Sequence, residues 1–408
     1  MKTKAVRLYG KNDLRLEEFE LPDIKDNEIL ARVVSDSLCM SSYKAAMLGE
    51  EHKRVPKNIS IEPIIIGHEF CGEIIEVGYK WREKYRSGDK FVIQPALNYK
   101  NTLDAPGYSY KYIGGDATYI IIPNEVMEMD CLIPYHSDVY YHGSLAEPLS
   151  CIIGAFNASY HTKQGSYEHI IGTKKGGKML FVGGAGTMGT VAVDYVLNAY
   201  ENAPSLLVIY DTNAKNAKNS KKRFENSNKN IRLTYTSDYS VLKEISFEGY
   251  DDIFVFSPSE DAVEMADGLL CKDGCLNFFA GPSNIDFSSK INFYNVHYNF
   301  THFVATSGGN SDDMRLAVKL IEERRIDLSY LISYVGGIDS VAEATLNLPG
   351  IDGGKKLIYT NISMPLTKIS ELEKTLKYKN IGKICNNNGG IWNEEAEKYI
   401  LKTRKQKA

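Results

Sequence analysis

The sequence predicts a mixed α/β protein with two domains, one a barrel-like antiparallel domain and the other a doubly wound parallel sheet. A chain of 408 residues is too long for one ordinary hydrophobic core. Short β-branched runs interrupted by Gly, Pro and Asp fill residues 1–150. After residue 150, longer apolar runs alternate with stretches able to form helices, which is typical of parallel strands buried on both faces.

The strand-like runs of the first part are short and close together, as in an antiparallel barrel. Their sequences are AVRLYG, EILARVVS, EPIIIGHEFCGEIIEVG, DKFVIQP and ATYIIIP. The strand candidates of the second part are residues 178–184, 205–211, 231–237, 251–258 and 274–282, with a last one within 302–310. A doubly wound sheet is therefore predicted for residues 151–309, inserted into a discontinuous domain of residues 1–150 and 310–408.

The C-terminal part is predicted to be largely helical. An amphipathic helix follows residue 310, with Ser311 or Asp312 as its N-cap. Further helices are expected around ELEKTLKYK and NEEAEKYILKTRK, in the extension that ends at residue 408. The sequence assigns no role to residues 361–408.

Composition and charge exclude several classes of function. The net charge of −4, with acids and bases interleaved, argues against a nucleic-acid binder, which needs a concentrated basic face. No run approaches the roughly 20 apolar residues that span a bilayer, and the start lacks an apolar signal core, so a cytoplasmic protein is expected. The seven cysteines are scattered and odd in number, which favours thiols or metal ligands over disulfides.

A glycine-rich turn closes the first strand of the second part. Gly184, Gly186 and Gly189 have the G-x-G-x-x-G spacing, and Thr187 and Met188 open the following helix. Gly184 would allow the tight turn, Gly186 the approach of a pyrophosphate, and Gly189 close helix–strand packing. The helix N-terminus then offers free N–H groups to the phosphates. This pattern predicts a dinucleotide site, the alternative being a glycine-rich turn without a ligand.

The next strand ends at Asp211, where a carboxylate can accept hydrogen bonds from the adenosine ribose. Asp211 favours NAD over NADP because it would repel a 2′-phosphate. Lys215 and Lys218 lie just beyond and would relieve that repulsion. The preference between NAD and NADP therefore stays open.

Four residues before the glycine-rich turn are competent zinc ligands. They are a thiolate, an imidazole and two carboxylates: Cys39, His68, Glu69 and Glu147. A catalytic zinc takes three protein ligands and leaves a fourth position for water or substrate. Taken singly, each residue also has a purely structural interpretation, as a buried thiol, a core histidine or an acid beside a proline.

The context of these residues resembles the zinc-containing medium-chain dehydrogenase/reductase family. Residues Gly67, His68, Glu69, Gly72 and Gly78 match its G-H-E-x2-G-x5-G signature, and the resemblance runs from residue 1 to about 360. It implies a GroES-like β-barrel catalytic domain beside a Rossmann coenzyme domain. It also implies one catalytic zinc, a nicotinamide cofactor, NAD(P)H, and a homo-oligomer, either a dimer or a tetramer.

The sorbitol-dehydrogenase branch is the most similar, because Glu147 stands where alcohol dehydrogenases carry a second cysteine. That branch implies Cys39 and His68 as direct ligands, with Glu147 or Glu69 bound directly or through water. Many relatives carry a four-cysteine structural zinc lobe, but this chain has no cysteine between Cys71 and Cys131. No structural zinc is therefore expected.

The same resemblance implies a mechanism. Ser41 matches the hydroxyl that passes a proton to the substrate oxygen, and Lys44 falls where several relatives place a relay histidine. Lys44 would continue the relay, pair with a substrate phosphate, or be a solvated surface lysine. A phosphorylated sugar needs fixed positive charge, and the run His52, Lys53, Arg54 is the densest cluster available.

The segments DSLCMSSYKAA, HKRVP and ATSGGNSDDMR resemble the sequences of bacterial members of the family that reduce a ketose phosphate with NADPH. The predicted reaction is therefore zinc-dependent reduction of a ketose phosphate to a polyol phosphate. Two alternatives stay open. One is oxidation of a free polyol or another secondary alcohol, and the other is a catalytically silent dinucleotide-binding protein.

Overall fold

A computed structural model describes residues 1–163, 165–227 and 230–403. The chain divides into two compact units. The first unit comprises residues 1–147, 310–322 and 327–408, and the second comprises residues 148–309 and 323–326.

The strands of the described ranges are numbered in chain order. They are β1 Lys2–Gly10, β2 Asp13–Glu20, β3 Ile29–Leu38, β4 Ile64–Ile65, β5 Phe70–Val77, β6 Lys90–Ile93, β7 Tyr119–Ile122, β8 Leu132–Pro134, β9 Tyr160–Thr162, β10 His169–Ile171, β11 Lys178–Val182, β12 Leu206–Tyr210, β13 Arg232–Thr236, β14 Tyr250–Val255, β15 Leu270–Phe278, β16 His302–Val304, β17 Ile332–Gly337, β18 Lys355–Tyr359 and β19 Thr367–Lys368.

The helices of the same ranges are α1 Met40–Leu48, α2 Asn124–Glu128, α3 Tyr141–Ser144, α4 Ala146–Ala158, α5 Thr187–Asn198, α6 Ala214–Phe224, α7 Ser240–Ile245, α8 Glu260–Asp267, α9 Phe293–Tyr298, α10 Ser311–Glu322, α11 Val341–Leu346, α12 Lys379–Asn387 and α13 Glu394–Thr403. Across residues 1–163, 165–227 and 230–403, no helix has the length and apolar content that crossing a membrane requires.

The first unit is built on a largely antiparallel sheet of eight strands. Its order is β19-β17-β18-β3-β5-β6-β8, with β7 also paired to β3. A second sheet has the order β2-β1-β4. Alternate residues of β3, such as Ile29, Ala31 and Val33, are fully buried and pack in one core with Phe70 of β5. Because β3 and β5 pair with Asp36 opposite Phe70, the residues after β3 and before β5 meet at one end of the sheet.

The second unit contains a six-stranded sheet in which every neighbouring pair is parallel. Its order is β13-β12-β11-β14-β15-β16, so the chain runs outward from β11 in both directions. Leu180, Val208 and Ile253 are completely buried and pack in one core with Val263 of α8. This is the Rossmann arrangement, in which the ligand binds where the strand order reverses. The predicted fold class, a GroES-like barrel with a Rossmann domain, is confirmed.

One local prediction was wrong. The N-cap of α10 is not Ser311 or Asp312 but Asn310, whose side-chain oxygen accepts hydrogen bonds from the N–H groups of Asp312 and Asp313. This is a boundary, which packing decides more than local sequence does. The segment ELEKTLKYK is helical as 3-10 turns over Ile369–Lys374 and Leu376–Tyr378, and an α-helix begins at Lys379. The last predicted strand, within 302–310, is confirmed as His302–Val304, which pairs with the sheet.

Candidate active site

Three of the four predicted metal ligands come together in the first unit. One ligand atom from each of Cys39, His68 and Glu69 lies within 4.8 Å of the others, and in the described part of the chain this is the one such group. Cys39 follows the last residue of β3, and His68 and Glu69 directly precede β5. The N–H of Ser37 donates to the carbonyl of Glu69 at 3.0 Å, which holds the two segments together.

The protonation chemistry of this group fits a zinc ion. Burial lowers the pKa of His68 to about 4, so its imidazole is neutral near pH 7, the form that ligates metals. Burial and the nearby Glu69 charge raise the pKa of Cys39 to about 12, while Lys355 opposes that rise. A cation that replaces the thiol proton would remove this penalty, as in thiolate metal sites. Sulfur, nitrogen and oxygen donors in one buried cluster are a zinc-type set.

Glu69 is held by a lysine that sequence reasoning missed. The Nζ of Lys355, at the start of β18, lies 2.5 and 2.6 Å from the two carboxylate oxygens of Glu69. Both side chains are buried. Burial alone would lower the pKa of Lys355, but Glu69 and Cys39 raise it above its usual value. Since the two residues are 286 positions apart, no local pattern could have indicated the pair.

Glu147, the fourth predicted ligand, lies outside that group of three. It occupies the first turn of α4 and is buried. Its charge raises the pKa of both Cys39 and Lys355, so it lies within electrostatic range of the cluster. The described geometry therefore brings Glu69, and not Glu147, within 4.8 Å of Cys39 and His68.

Three hydroxyl groups surround the histidine. Ser42 Oγ lies 3.2 Å from Nδ1 of His68 and fixes the ring, so that Nε2 points into the cluster. Ser41 Oγ lies 2.9 Å from Cys39 Sγ and 3.2 Å from Nε2. The hydroxyl of Tyr108 is also 3.2 Å from Nε2. Ser41 was predicted, whereas Ser42 and Tyr108 were missed. Ser42 carried a local signal, because it lies three residues after Cys39 on the following helix.

The four basic residues predicted for the relay and the phosphate differ in environment. Lys44 is partly buried, and burial lowers its pKa. Burial, Arg54, Lys53 and Lys44 lower the pKa of His52 to about 4, so His52 is neutral near pH 7. Lys53 is exposed. Arg54 is partly buried, with its guanidinium 5.4 Å from the centre of the Tyr108 ring.

Arg54 lacks an acidic partner among the described residues. Its buried Nε has no hydrogen-bond partner there either. Arg54 also contributes to the low pKa of His68, which places its charge near the ligand cluster. A guanidinium in that condition suits an incoming anion, because a buried donor without a partner costs about 1–3 kcal/mol.

The predicted dinucleotide turn lies in the second unit, between β11 and α5. Within this turn Gly183 has a left-handed backbone, with φ +70°. A Cβ at Gly189 would lie 2.4 Å from the carbonyl oxygen of Gly184, so only glycine fits there. A Cβ at Gly186 would meet nothing closer than 3.7 Å, which leaves room for a ligand. Gly186 also precedes the first turn of α5, where Thr187 and Met188 present backbone N–H groups.

Asp211 follows β12 and braces the same turn. Its carboxylate accepts from the N–H of Ala185 at 2.9 Å and from the N–H of Asn213 at 2.8 Å. Lys215 and Lys218 lie exposed on α6. The acid expected at the ribose therefore lies beside the glycine turn, with its orientation fixed by two backbone donors.

Comparison with known proteins places the chain in a family. The profile of the alcohol dehydrogenase GroES-like domain matches residues 25–130. An L-sorbose 1-phosphate reductase of Klebsiella pneumoniae is 48% identical over 98% of this chain and 97% of its own. The chain belongs to the zinc-dependent medium-chain dehydrogenase/reductase family. The zinc-dependent members of this family are oxidoreductases that use zinc and a nicotinamide cofactor.

Two further comparisons agree with this membership. A mannitol-1-phosphate 5-dehydrogenase of Aliivibrio fischeri is 41% identical over 98% of this chain and 97% of its own. The crystal structure of 2R,3R-butanediol dehydrogenase from Bacillus subtilis superposes with a TM-score of 0.71, covering 88% of this chain and all of that one at 19% identity. The resemblance inferred from the G-H-E signature is thus confirmed, and the chain is an enzyme.

Proposed function

We propose that this enzyme reduces L-sorbose 1-phosphate to glucitol 6-phosphate with NAD(P)H, using one zinc ion held by Cys39, His68 and Glu69. The full-length similarity to a reductase of that ketose phosphate supports the substrate. The observation that carries the phosphate requirement is Arg54, a partly buried guanidinium near His68 without an acidic partner in the described ranges.

Each residue has a defined part in this proposal. When bound, zinc and the reduced nicotinamide supply a Lewis acid and a hydride donor. Ser41 holds a proton close to both Cys39 and His68 and gives it to the substrate oxygen. Lys44, with a pKa lowered by burial, replenishes that proton. Lys355 keeps Glu69 oriented, and Glu147 adds negative charge that favours metal binding.

Arg54 holds the substrate phosphate. Neutral His52 accepts a hydrogen bond from the backbone N–H of Arg54 at 3.3 Å, and exposed Lys53 adds long-range attraction. The dinucleotide binds at Gly184, Gly186 and Gly189, with Thr187, Met188 and Asp211 around it.

The test is a steady-state assay at 340 nm with L-sorbose 1-phosphate and with free L-sorbose, using NADH and NADPH separately. We expect kcat/KM for the phosphorylated sugar to be about 10- to 100-fold higher, because charge-assisted hydrogen bonds are worth about 1.5–3 kcal/mol. Arg54→Ala should remove that advantage and leave the rate on free sorbose unchanged. Equal rates on the two sugars by the wild type would refute the phosphate requirement.

Mannitol 1-phosphate is the second candidate substrate, because the Aliivibrio fischeri relative is named for its oxidation. Oxidation of mannitol 1-phosphate and of glucitol 6-phosphate, measured under the same conditions, separates the two. Higher kcat/KM on mannitol 1-phosphate would move the assignment to that polyol phosphate.

The cofactor is tested with Asp211→Ala. Removing the carboxylate should weaken NADH binding and relieve repulsion of the NADPH phosphate, so the ratio of the two dissociation constants should shift about tenfold toward NADPH. Equal effects on both cofactors would show that Asp211 only braces the turn through Ala185 and Asn213.

A further inference from the structure

The loop of residues 105–109 lies between Cys71 and Cys131, a stretch without cysteines. Many relatives carry the four cysteines of a structural zinc lobe in this stretch. The loop is folded tightly on itself: the N–H groups of Tyr108 and Ser109 both donate to the carbonyl of Ala105, and Ser109 Oγ accepts from the N–H of Ala105. The side chain of Ser109 also donates to the carbonyl of Arg54 at 2.7 Å. The loop is thus tied to the segment that carries the guanidinium.

The backbone of this loop presses against the metal-ligand segment. Gly107 has φ +77°, and a Cβ there would lie 2.0 Å from the carbonyl oxygen of Gly67 and 3.1 Å from the Cβ of His68. Only glycine permits this contact. The contact fixes the next residue, Tyr108, directly beside the imidazole, with ring centres 4.8 Å apart.

Tyr108 is buried, and its two ends face different groups. Its hydroxyl lies 3.2 Å from Nε2 of His68. Its ring is stacked on His52, with centres 5.7 Å apart, and lies 5.4 Å from the guanidinium carbon of Arg54. One side chain therefore reaches from the metal ligands to the cation proposed for the phosphate.

Metal binding by His68 would remove the partner that the Tyr108 hydroxyl has at Nε2. Nε2 offers a single hydrogen-bonding position, yet both Ser41 and Tyr108 lie 3.2 Å from it. A metal ligated by Nε2 takes that position away from both hydroxyls. Ser41 keeps Sγ of Cys39 at 2.9 Å as a partner, and the Tyr108 hydroxyl also interacts with Ser41. The Tyr108 hydroxyl, displaced from Nε2, then lies beside the ligands and is placed to donate to an oxygen bound there.

We infer that Tyr108 contacts the substrate: its hydroxyl donates a hydrogen bond to the substrate oxygen at the reacting carbon, and its ring orients Arg54 toward the phosphate. This inference rests on the proposed function, since it takes His68 as a metal ligand and Arg54 as the phosphate partner. It gives the loop of residues 105–109 a direct part in the site. Two contacts of one side chain then link the reacting end of the sugar to its charged end.

The test compares Tyr108→Phe, which removes only the hydroxyl, with Tyr108→Leu, which also removes the ring. Tyr110→Phe is the matched control, because Tyr110 lies directly after this loop but packs against the hydrophobic core that contains Ile113. Zinc per chain, the melting temperature and kcat/KM are measured for L-sorbose 1-phosphate, free L-sorbose, mannitol 1-phosphate and sorbitol. Zinc content and melting temperature are the readouts that a merely structural role would change.

With zinc retained, Tyr108→Phe should lower kcat/KM about 10- to 100-fold, by the same factor for phosphorylated and free sugar. Tyr108→Leu should lower it a further few-fold for the phosphorylated sugar only, the size of a cation–π contact. Tyr110→Phe should stay within about twofold of the wild type. Wild-type kcat/KM in Tyr108→Phe at full zinc, or a loss explained by missing zinc, would overturn the inference.

The two proposals fail separately in this experiment. If the wild type prefers a substrate other than L-sorbose 1-phosphate, the proposed function is wrong, and Tyr108 is judged on the preferred substrate by the same hydroxyl test. If the wild type reduces L-sorbose 1-phosphate as proposed and Tyr108→Phe is unaffected, only the role of Tyr108 is wrong. If none of the four is turned over, both are wrong.

Discussion

The metal-ligand cluster and the dinucleotide turn are built in opposite ways. The cluster of Cys39, His68 and Glu69 consists of buried side chains, completed by Lys355 from a strand 286 residues away from Glu69. The turn from Gly183 to Asp211 consists mainly of backbone within one strand–helix–strand segment. The metal-ligand cluster depends on opposite charges that neutralise one another. The dinucleotide turn depends on glycines, whose lack of a side chain lets the backbone pack closely. The two sites should therefore fail differently when mutated.

The largest expected effect is on turnover, from Cys39→Ser. A serine hydroxyl is a far poorer zinc ligand than a thiolate, so kcat should fall at least about 1,000-fold, since Lewis-acid stabilisation is worth several kcal/mol. Dinucleotide binding, measured by fluorescence titration, should stay within about twofold. Cys131→Ser, a buried cysteine of the same unit outside the ligand cluster, is the control and should keep its zinc and its activity. If Cys39→Ser kept both its zinc and its activity, the claim that the metal-ligand cluster depends on this side chain would be wrong.

The next effect is on stability, from Lys355→Met. This change leaves Glu69 buried without its partner, which should lower the free energy of unfolding by about 3–5 kcal/mol. Lys84→Met is the control, because it removes a solvent-exposed ion pair with Asp130 worth at most about 1 kcal/mol. Urea unfolding of the zinc-free proteins measures both. Similar decreases in the free energy of unfolding in the two variants would mean that the buried Lys355–Glu69 pair contributes no more stability than an exposed pair.

In the dinucleotide turn, two glycine substitutions should separate the effect on folding stability from the effect on cofactor binding. Gly189→Ala forces a Cβ to within 2.4 Å of the Gly184 carbonyl and should cost about 1–3 kcal/mol of stability. Gly186→Ala meets no atom closer than 3.7 Å, so its melting temperature should match the wild type, while its dissociation constant for NAD(P)H should rise. Thermal unfolding and cofactor titration of both variants check this. A destabilised Gly186→Ala would contradict the open space found there.

The smallest effect concerns pH, at a buried acid pair behind the metal ligands. Asp36 and Asp116 are fully buried, and a Cβ at Gly67 would touch both carboxyl groups. Burial raises the pKa of Asp116 to about 7, and burial with the charges of Asp116 and Glu69 raises the pKa of Asp36. A raised pKa in the folded protein means that stability is present at low pH and is lost as pH rises from about 4 through about 7.

Asp116→Asn should remove part of that loss, because the amide stays neutral. The melting temperature of the variant relative to the wild type should therefore increase between pH 5 and pH 8, measured by differential scanning fluorimetry. A difference that does not change with pH would show that the pair does not titrate in this range.

Much of the fold was predictable because its signals are local. Apolar runs of strand length alternating with helices indicated the parallel sheet, and its strands lie within or next to the predicted ranges. The wrong detail was the start of one helix, because Asn310 caps α10 and not Ser311 or Asp312. An N-cap depends on which side chain folds back on the helix, and several polar residues in a row compete for that position.

The candidate site was predictable only in part. His68 and Glu69 lie in the family signature, and Cys39 and Ser41 lie in the short segment DSLCMSSYKAA, which also resembles family members. Lys355 and Tyr108 carry no motif, because their importance comes from strand pairing and from a loop packed against Gly67. The choice between Glu69 and Glu147 beside the thiol and imidazole was likewise open in the sequence, since both carboxylates have suitable chemistry.

The sequence by itself determined the fold class, the family and the donor types available for a metal, because periodicity, glycine spacing and side-chain chemistry are read along the chain. Only the tertiary structure decided which buried charges face one another, which hydroxyls share Nε2 of His68, and which cation near the ligands has no acid beside it in the described ranges. These are questions of distance between remote segments, and burial makes each of them worth several kcal/mol.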